Sequence, residues 1–221
     1  MISLFVTGTD THIGKTITSA ILASVMNAAY WKPIQSGLAD EKSDSEIVME
    51  LVGLSPVHIF PSQYQFQLSL SPHHAAEYEN VEIDLAKITA PITEKGLITE
   101  GSGGVLVPIN NTCTIRDLIK KLNYPVVIVA RGTLGTINHT LLTIEALKQK
   151  NICILGVIFN GELNRANQTT IEKLGNVNTL FCVPHFSSLT KNNLQAWIAN
   201  HQQTILQAIQ NASLEFPRNG S

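Results

Sequence analysis

The sequence predicts an α/β fold: a doubly wound, mainly parallel sheet of about seven strands with helices on both faces. Three observations carry this. The apolar run at 2–6 breaks into a Gly/Thr-rich loop that ends in Gly14-Lys15-Thr16 and opens a helix. The segments 125–130 and 152–159 are uninterrupted apolar runs, as strands buried on both faces require. Between such runs lie stretches with helical spacing of apolar residues.

Taken in order, Ile2–Val6 is the first strand. Lys15–Ala28 is a helix, with Ile17, Ile21, Leu22 and Val25 on one face. Tyr30–Ile34 is a short strand carrying Pro33. Ser43 is placed to cap a helix at 44–51, with Glu46 three residues on completing a capping box. Residues 53–80 read as loop, with a short strand around 63–66, and 84–90 as helical. Gly96–Thr99 is a strand that ends on Glu100, and 115–122 a helix. After the strand at 125–130, Gly132 and Gly135 lead into a helix at 138–150. The strand at 152–159 is followed by a helix at 165–174, a strand at 179–183 and an amphipathic helix at 191–210. No linker divides the chain, so 1–210 reads as one domain and 211–221 as a flexible tail.

With 44% apolar and 14% charged residues in 221, much of the chain must be internal. Fifteen basic against seventeen acidic residues leave a net charge of −2 and no basic stripe, which argues against nucleic acid. No apolar run reaches the roughly 18 residues of a membrane span, and the N-terminus lacks the basic region of a secretion signal. The three cysteines have no metal-ligand spacing. These features predict a cytoplasmic protein with reduced thiols.

The loop at 7–16 has the build of a phosphate cradle. Backbone N–H groups turn inward, Lys15 adds a mobile positive charge, Thr16 offers a hydroxyl to Mg²⁺, and the helix dipole points at the same anion. Counted back from Gly14, the usual first glycine position falls on Thr9, with Gly8 one residue early. The other strand ends carry polar groups toward the same rim. Lys32 closes a short buried strand, which is costly unless an anion meets it, although a snorkelling surface lysine is the plain alternative. Glu100 precedes Gly101-Ser102-Gly103-Gly104 and suits a second metal anchor or an ordinary loop acid. Asp44 is one acid of a run and reads equally well as solvated. Asn160 is suited either to reading a base through its amide or to capping the turn at Gly161. His12 lies inside the loop, facing ligand or solvent. His73 and His74 fit a surface loop better than a metal site.

Together these segments resemble the dethiobiotin synthetases. The resemblance rests on 8–16, on Lys32-Pro33-Ile34-Gln35-Ser36-Gly37, on Ser71-Pro72-His73, on Glu100–Gly104 and on Leu134-Gly135-Thr136-Ile137-Asn138-His139, in that order. It implies an ATP-dependent ligase of biotin synthesis that takes 7,8-diaminononanoate, CO₂ and ATP through a carbamate and a carbamic–phosphoric anhydride. It implies Mg²⁺ on Thr16, Asp44 and Glu100, and charge neutralisation by Lys15 and Lys32, with Thr11 and Ser36 as hydrogen-bond donors. It carries nucleotide contacts onto Asp10, Thr11, His12, Ile13, Gly14, Lys15, Thr16, Ile17, Glu100, Gly103, Asn160 and Pro184. It assigns substrate contacts to Lys32, Ser36, Gly135, Thr136 and Asn138, the last three acting across a homodimer interface. Departures are His12, where an acid is common, and Ser188, where some relatives place an acid against the nucleotide.

The main rival is a ParA/MinD-like regulatory ATPase. It would want an extra lysine near the loop start, where Asp10 stands, and usually a membrane or DNA surface. A cobyrinate-type amidotransferase shares the loop but continues into a glutaminase domain.

Overall fold

The computed structural model describes residues 2–214. Its elements are β1 (Leu4–Gly8), α1 (Lys15–Val25), β2 (Ala29–Trp31), β3 (Ile34–Gln35), α2 (Asp44–Val52), β4 (Ile59–Phe60), β5 (Tyr64–Gln65) and α3 (Pro72–Tyr78). They continue with β6 (Leu97–Gly104), α4 (Ile115–Leu122), β7 (Val126–Arg131), α5 (Thr136–Lys148), β8 (Ile154–Asn160), α6 (Arg165–Gly175), β9 (Thr179–Val183) and α7 (Lys191–Leu214). Seven strands form one sheet in the order β4-β2-β6-β1-β7-β8-β9, each pair parallel. β1 lies at its centre, between β6 and β7. The loops after these strands therefore open side by side on one rim, where ligands of such sheets bind.

The two-residue period of β1 divides the core. Leu4 and Val6 pack with Ile21 and Leu22 of α1 and Leu194 and Ile198 of α7. Phe5, on the other face, packs with Ile115 and Leu118 of α4 and Leu147 of α5. Each face of the sheet is thus sealed by helices, as the doubly wound pattern predicts.

Several boundaries differ from the sequence reading for local reasons. The strand expected at 30–34 is split by Lys32-Pro33, since proline gives no N–H to a ladder. β2 stays in the main sheet, while β3 pairs with β5 in a separate two-stranded sheet. The strand expected near 63–66 is therefore not the seventh strand of the main sheet. That place belongs to β4, which lay in the presumed loop, as did α3. The helix expected at 84–90 is a single 3₁₀ turn, Leu85–Lys87, closed by the Asp84 carboxylate accepting from Ala86 N–H. α1 stops at Val25 because Asn27 takes a left-handed conformation. Residues 211–214, read as the start of a tail, continue α7, because Ala212 prolongs the buried stripe of Ile205 and Ile209. The rest of that predicted tail lies outside the described residues. Among the described residues no helix is long and apolar enough to cross a membrane.

Candidate active site

β1 delivers the chain to the rim fully buried. At the loop start, Thr9 N–H still reaches Val129 O of β7 at 3.0 Å. Ile13 then turns inward, 3% exposed, and pins the loop to the core. The left-handed turns fall on His12 (φ 52°) and Gly14 (φ 90°), whereas Gly8 simply ends the strand. Gly14 must be glycine on a second count: a Cβ there would lie 2.0 Å from Asn160 Nδ2. Lys15 begins α1 and folds back over the loop, its Nζ donating to Asp10 O at 2.8 Å. Asp10 braces the loop from outside, accepting from Thr11 N–H at 2.7 Å and from Arg131 Nη2 of β7 at 2.7 Å.

β6 supplies Glu100 from mid-strand, since the strand runs on to Gly104 instead of ending at 99. Small residues make this possible: a Cβ on Gly101 would meet Phe5 Cε1 at 2.9 Å. Glu100 is 1% exposed and Lys32, at the β2–β3 break, is 6% exposed. Lys32 Nζ pairs with Asp44 Oδ2 and, at 3.3 Å, with Glu100 Oε1. Thr16 Oγ1 lies 2.5 Å from Asp44 Oδ1 and 3.0 Å from Glu100 Oε1. Asp44 is held at the first turn of α2 by the Ser43–Glu46 capping box. Its own N–H donates to Gln35 Oε1 at 3.1 Å. Of the acid run at 40–50, the fold thus takes Asp44 inward.

Charge and burial are balanced against each other in this cluster. Burial works to depress Lys32, but Glu100 and Asp44 outweigh it and leave its pKa raised. Burial works to raise Asp44, but Lys32 and the hydrogen bonds from Lys32, Thr16 and Gln35 leave it below the usual carboxylate range. Among the described residues Lys15 has no carboxylate in contact. Burial lowers its pKa, Glu100 opposes that, Lys32 adds to it, and the net is downward. Tyr30 is pushed well above the ordinary phenol range by burial, with Glu100 and Asp44 adding to it, so it remains a donor toward Glu100 Oε2 at 3.0 Å.

Lys15, Thr16, Lys32, Asp44 and Glu100 line one cleft of about 670 Å³, together with Thr11, His12, Ser36 and Gly103. The Ser36 hydroxyl is buried without a hydrogen-bond partner. A buried hydroxyl in that condition, at the wall of a charged cleft, fits a ligand oxygen. The donor set also fits Mg²⁺. It offers two carboxylates and a hydroxyl with no His or Cys, and Mg²⁺ takes few protein oxygens, filling its shell with water and phosphate.

Other predicted residues lie elsewhere. Ile13 turns its side chain into the core, so only its backbone is available to a nucleotide, and Ile17 packs against the same core half-buried. Asn160 Nδ2 donates to Ile13 O at 3.0 Å. With Pro184, Asn160 lines a separate cavity of about 880 Å³ that also takes in Trp197 and His201 of α7. Gly135, the N-cap of α5, and Asn138, in its first turn, are exposed and do not line the Lys15–Lys32 cleft. Thr136 is buried, its hydroxyl 3.4 Å from that of Thr140, so its side chain is turned away from any ligand. Sequence reasoning missed Arg131, Tyr30 and Gln35. Only Arg131 left a signal, as a lone charge ending an apolar strand.

A family model described as an AAA domain matches residues 3–193. The ATP-dependent dethiobiotin synthetase BioD of Rhodopseudomonas palustris is 44% identical over 195 residues, covering 88% of this chain and 91% of the relative. That of Paramagnetospirillum magneticum is 47% identical over 180 residues, covering 81% and 86%. Among solved structures, a ParA family ATPase from Chlorobium tepidum TLS superposes with a TM-score of 0.52 over 96% of this chain and 97% of its own. At 16% identity, that likeness is one of fold alone. The phosphate loop, the largely buried Lys32–Asp44–Glu100 cluster and these similarities over more than four-fifths of the chain agree, and the chain belongs to the ATP-dependent dethiobiotin synthetase family within the AAA-domain proteins.

Proposed function

We infer that this chain is an ATP-dependent ligase that carboxylates 7,8-diaminononanoate and closes it to dethiobiotin, releasing ADP and phosphate. The observation that carries the reading is the cleft in which Lys15, Lys32 and the unpartnered Ser36 hydroxyl converge beside the phosphate loop. One substrate amine captures CO₂ as a carbamate. A carbamate oxygen attacks the γ-phosphorus and ADP departs. The second amine attacks the carbonyl carbon, the C–O bond to phosphate breaks, and the ring closes.

Such a sequence needs positioning and charge neutralisation more than covalent help from the protein. Lys15 is assigned to the β- and γ-phosphate oxygens, and its lowered pKa reflects a charge buried for an anionic ligand. Lys32 is assigned to the carbamate and the migrating phosphoryl group. Ser36 and Thr11 donate hydrogen bonds to the same oxygens. Thr16, Asp44 and Glu100 would hold Mg²⁺. When bound, the ion neutralises phosphate charge. Asn160 and Pro184 are assigned to the adenine side, and Gly135, Thr136 (through its backbone) and Asn138 to the substrate tail bound by a second copy in a homodimer. We assign the enzyme to the cytoplasm.

The test is phosphate release from ATP with and without 7,8-diaminononanoate and bicarbonate, with the product identified by mass. Stimulation by the diamine and appearance of dethiobiotin are expected. ATP turnover indifferent to the diamine would return the chain to the switch-like ATPases whose fold it shares.

A further inference from the structure

Tyr30 sits in the middle of β2, fully buried, paired in register with Ile98 of β6. It does not line the cleft. Its hydroxyl reaches Glu100 from behind, donating to Oε2 at 3.0 Å, while Oε1 faces Thr16 and Lys32. The two oxygens of one buried carboxylate therefore have separate duties. The last torsion of a glutamate is broad and roughly two-fold, so a carboxylate with no partner behind it can offer either oxygen or both.

We propose that Tyr30 is a positioning residue that holds Glu100 so that Oε1 alone is presented to the cation shared with Thr16 and Asp44. The proposal rests on the metal reading above and deepens it. A single-oxygen carboxylate suits the small octahedral shell of Mg²⁺, whereas Ca²⁺ readily takes both oxygens of one carboxylate. Tyr30 thereby sets cation preference as well as geometry, acting through Glu100 and touching no substrate.

The experiment titrates Mn²⁺, as a spectroscopic stand-in for Mg²⁺, into the full chain with a nonhydrolysable ATP analogue, reading free Mn²⁺ by paramagnetic resonance. Tyr30→Phe is expected to weaken Mn²⁺ about tenfold, at the low end of what loss of an outer partner costs a metal site. Competing Ca²⁺ should lose less, because a freed carboxylate can still clasp it. A matched pair at position 30, p-aminophenylalanine and p-methylphenylalanine, fills the space of the phenol with and without a donor. This pair carries the test whether or not the phenyl variant folds. The amino form should bind Mn²⁺ nearly as the parent does, and the methyl form should not.

Equal Mn²⁺ affinity for the two members of that pair, or a Tyr30→Phe change under about twofold, overturns the assignment, since a true outer partner costs more. Glu100→Gln separates the two levels. If it weakens Mn²⁺ and the Tyr30 variants do not, Tyr30 alone is wrongly assigned. If Glu100→Gln also leaves Mn²⁺ binding intact, the metal reading falls and this inference with it.

Discussion

The two ends of the proposed site are built in opposite ways. At the phosphate end the central charged cluster is braced from within the chain: Lys32 by Asp44 and Glu100, Asp44 by Thr16 and Gln35, Glu100 by Tyr30. Around the start of α5, Leu134 and Asn138 stand exposed, and a Cβ built on Gly135 would meet nothing within 4 Å. Chemistry that moves a phosphoryl group needs charges fixed before the reaction begins. A loop that receives a substrate tail needs room and backbone, and a second subunit can supply the missing wall. The contrast fits the proposal that one chain finishes only part of its site.

The sharpest way to break this comparison is at the phosphate end. Lys15→Ala and Lys32→Ala are each expected to lower turnover by orders of magnitude, since a preorganised charge in a closed site is worth about 3–4 kcal/mol of barrier. They should differ in stability. Lys15 pairs with a backbone carbonyl, so its loss leaves no buried acid exposed to its own desolvation cost. Loss of Lys32 strands Glu100 and Asp44 without their cation, and thermal unfolding should move down clearly. Near-normal turnover in Lys32→Ala would remove it from the site.

The second test joins the two ends. Asn138→Ala is expected to be inactive for want of the substrate tail contact, and Lys15→Ala for want of the phosphate charge. In a mixed dimer one site carries both lesions and the other neither. Equal mixing after dissociation should restore about a quarter of parental activity if C₂ partners share their sites. Mixed dimers that form and stay silent would place Asn138 in its own chain's site, or in none. Full activity of a sedimenting monomer would end the shared-site idea.

A third, smaller effect concerns Asp44. Asp44→Asn keeps the shape but loses the charge, so the Mg²⁺ needed for half-maximal turnover should rise, while the diamine concentration for half-saturation changes little. An unchanged Mg²⁺ requirement would return Asp44 to the solvated acids around it.

What the sequence disclosed follows the same divide. The phosphate loop was legible because its chemistry is local: strand, glycine, lysine, threonine and helix follow one another. Lys32 and Glu100 were legible because a charge at the end of an apolar run is conspicuous. Asp44 was not separable from Asp40, Glu41 and Glu46 by pattern, since what selects it is Gln35 and Thr16 reaching it from other elements. Tyr30 read as one more strand residue. Its role depends on a hydrogen bond between β2 and β6 that joins residues 70 apart in the chain. Strands were expected around β3 and β5, but their pairing in a sheet of their own escaped notice, because two-residue strands leave no pattern from which to read a partner. The turning of Thr136 into the core escaped it because glycine-rich loops leave side-chain direction open.

The smallest predicted effect is a control on the face of the sheet opposite α1, outside the cleft, and it asks whether bracing matters only where chemistry is done. Asp117, in the first turn of α4, accepts from Thr114 N–H and Thr114 Oγ1, both at 2.8 Å, and lies 3.4 Å from Lys150. Burial works to raise its pKa, but the Thr114 N–H and hydroxyl and then Lys150 outweigh burial and leave the pKa lowered. The folded value therefore lies below the unfolded one. The stabilisation is fully present above the unfolded pKa, about 3.9, and fades as pH falls through the folded value. Asp117→Ala should cost about 1 kcal/mol at neutral pH, as loss of a helix-start bond does, or about 2–4 °C in unfolding temperature for a chain of this size. The gap to the parent should begin to narrow below about pH 4, where the carboxylate of the unfolded chain takes up its proton, and narrow further as the folded carboxylate follows at lower pH. Turnover per folded molecule should not move. A loss of turnover in Asp117→Ala at temperatures where it is fully folded would show that the rim is sensitive to the far side of the sheet, and the division drawn between the two ends would no longer hold.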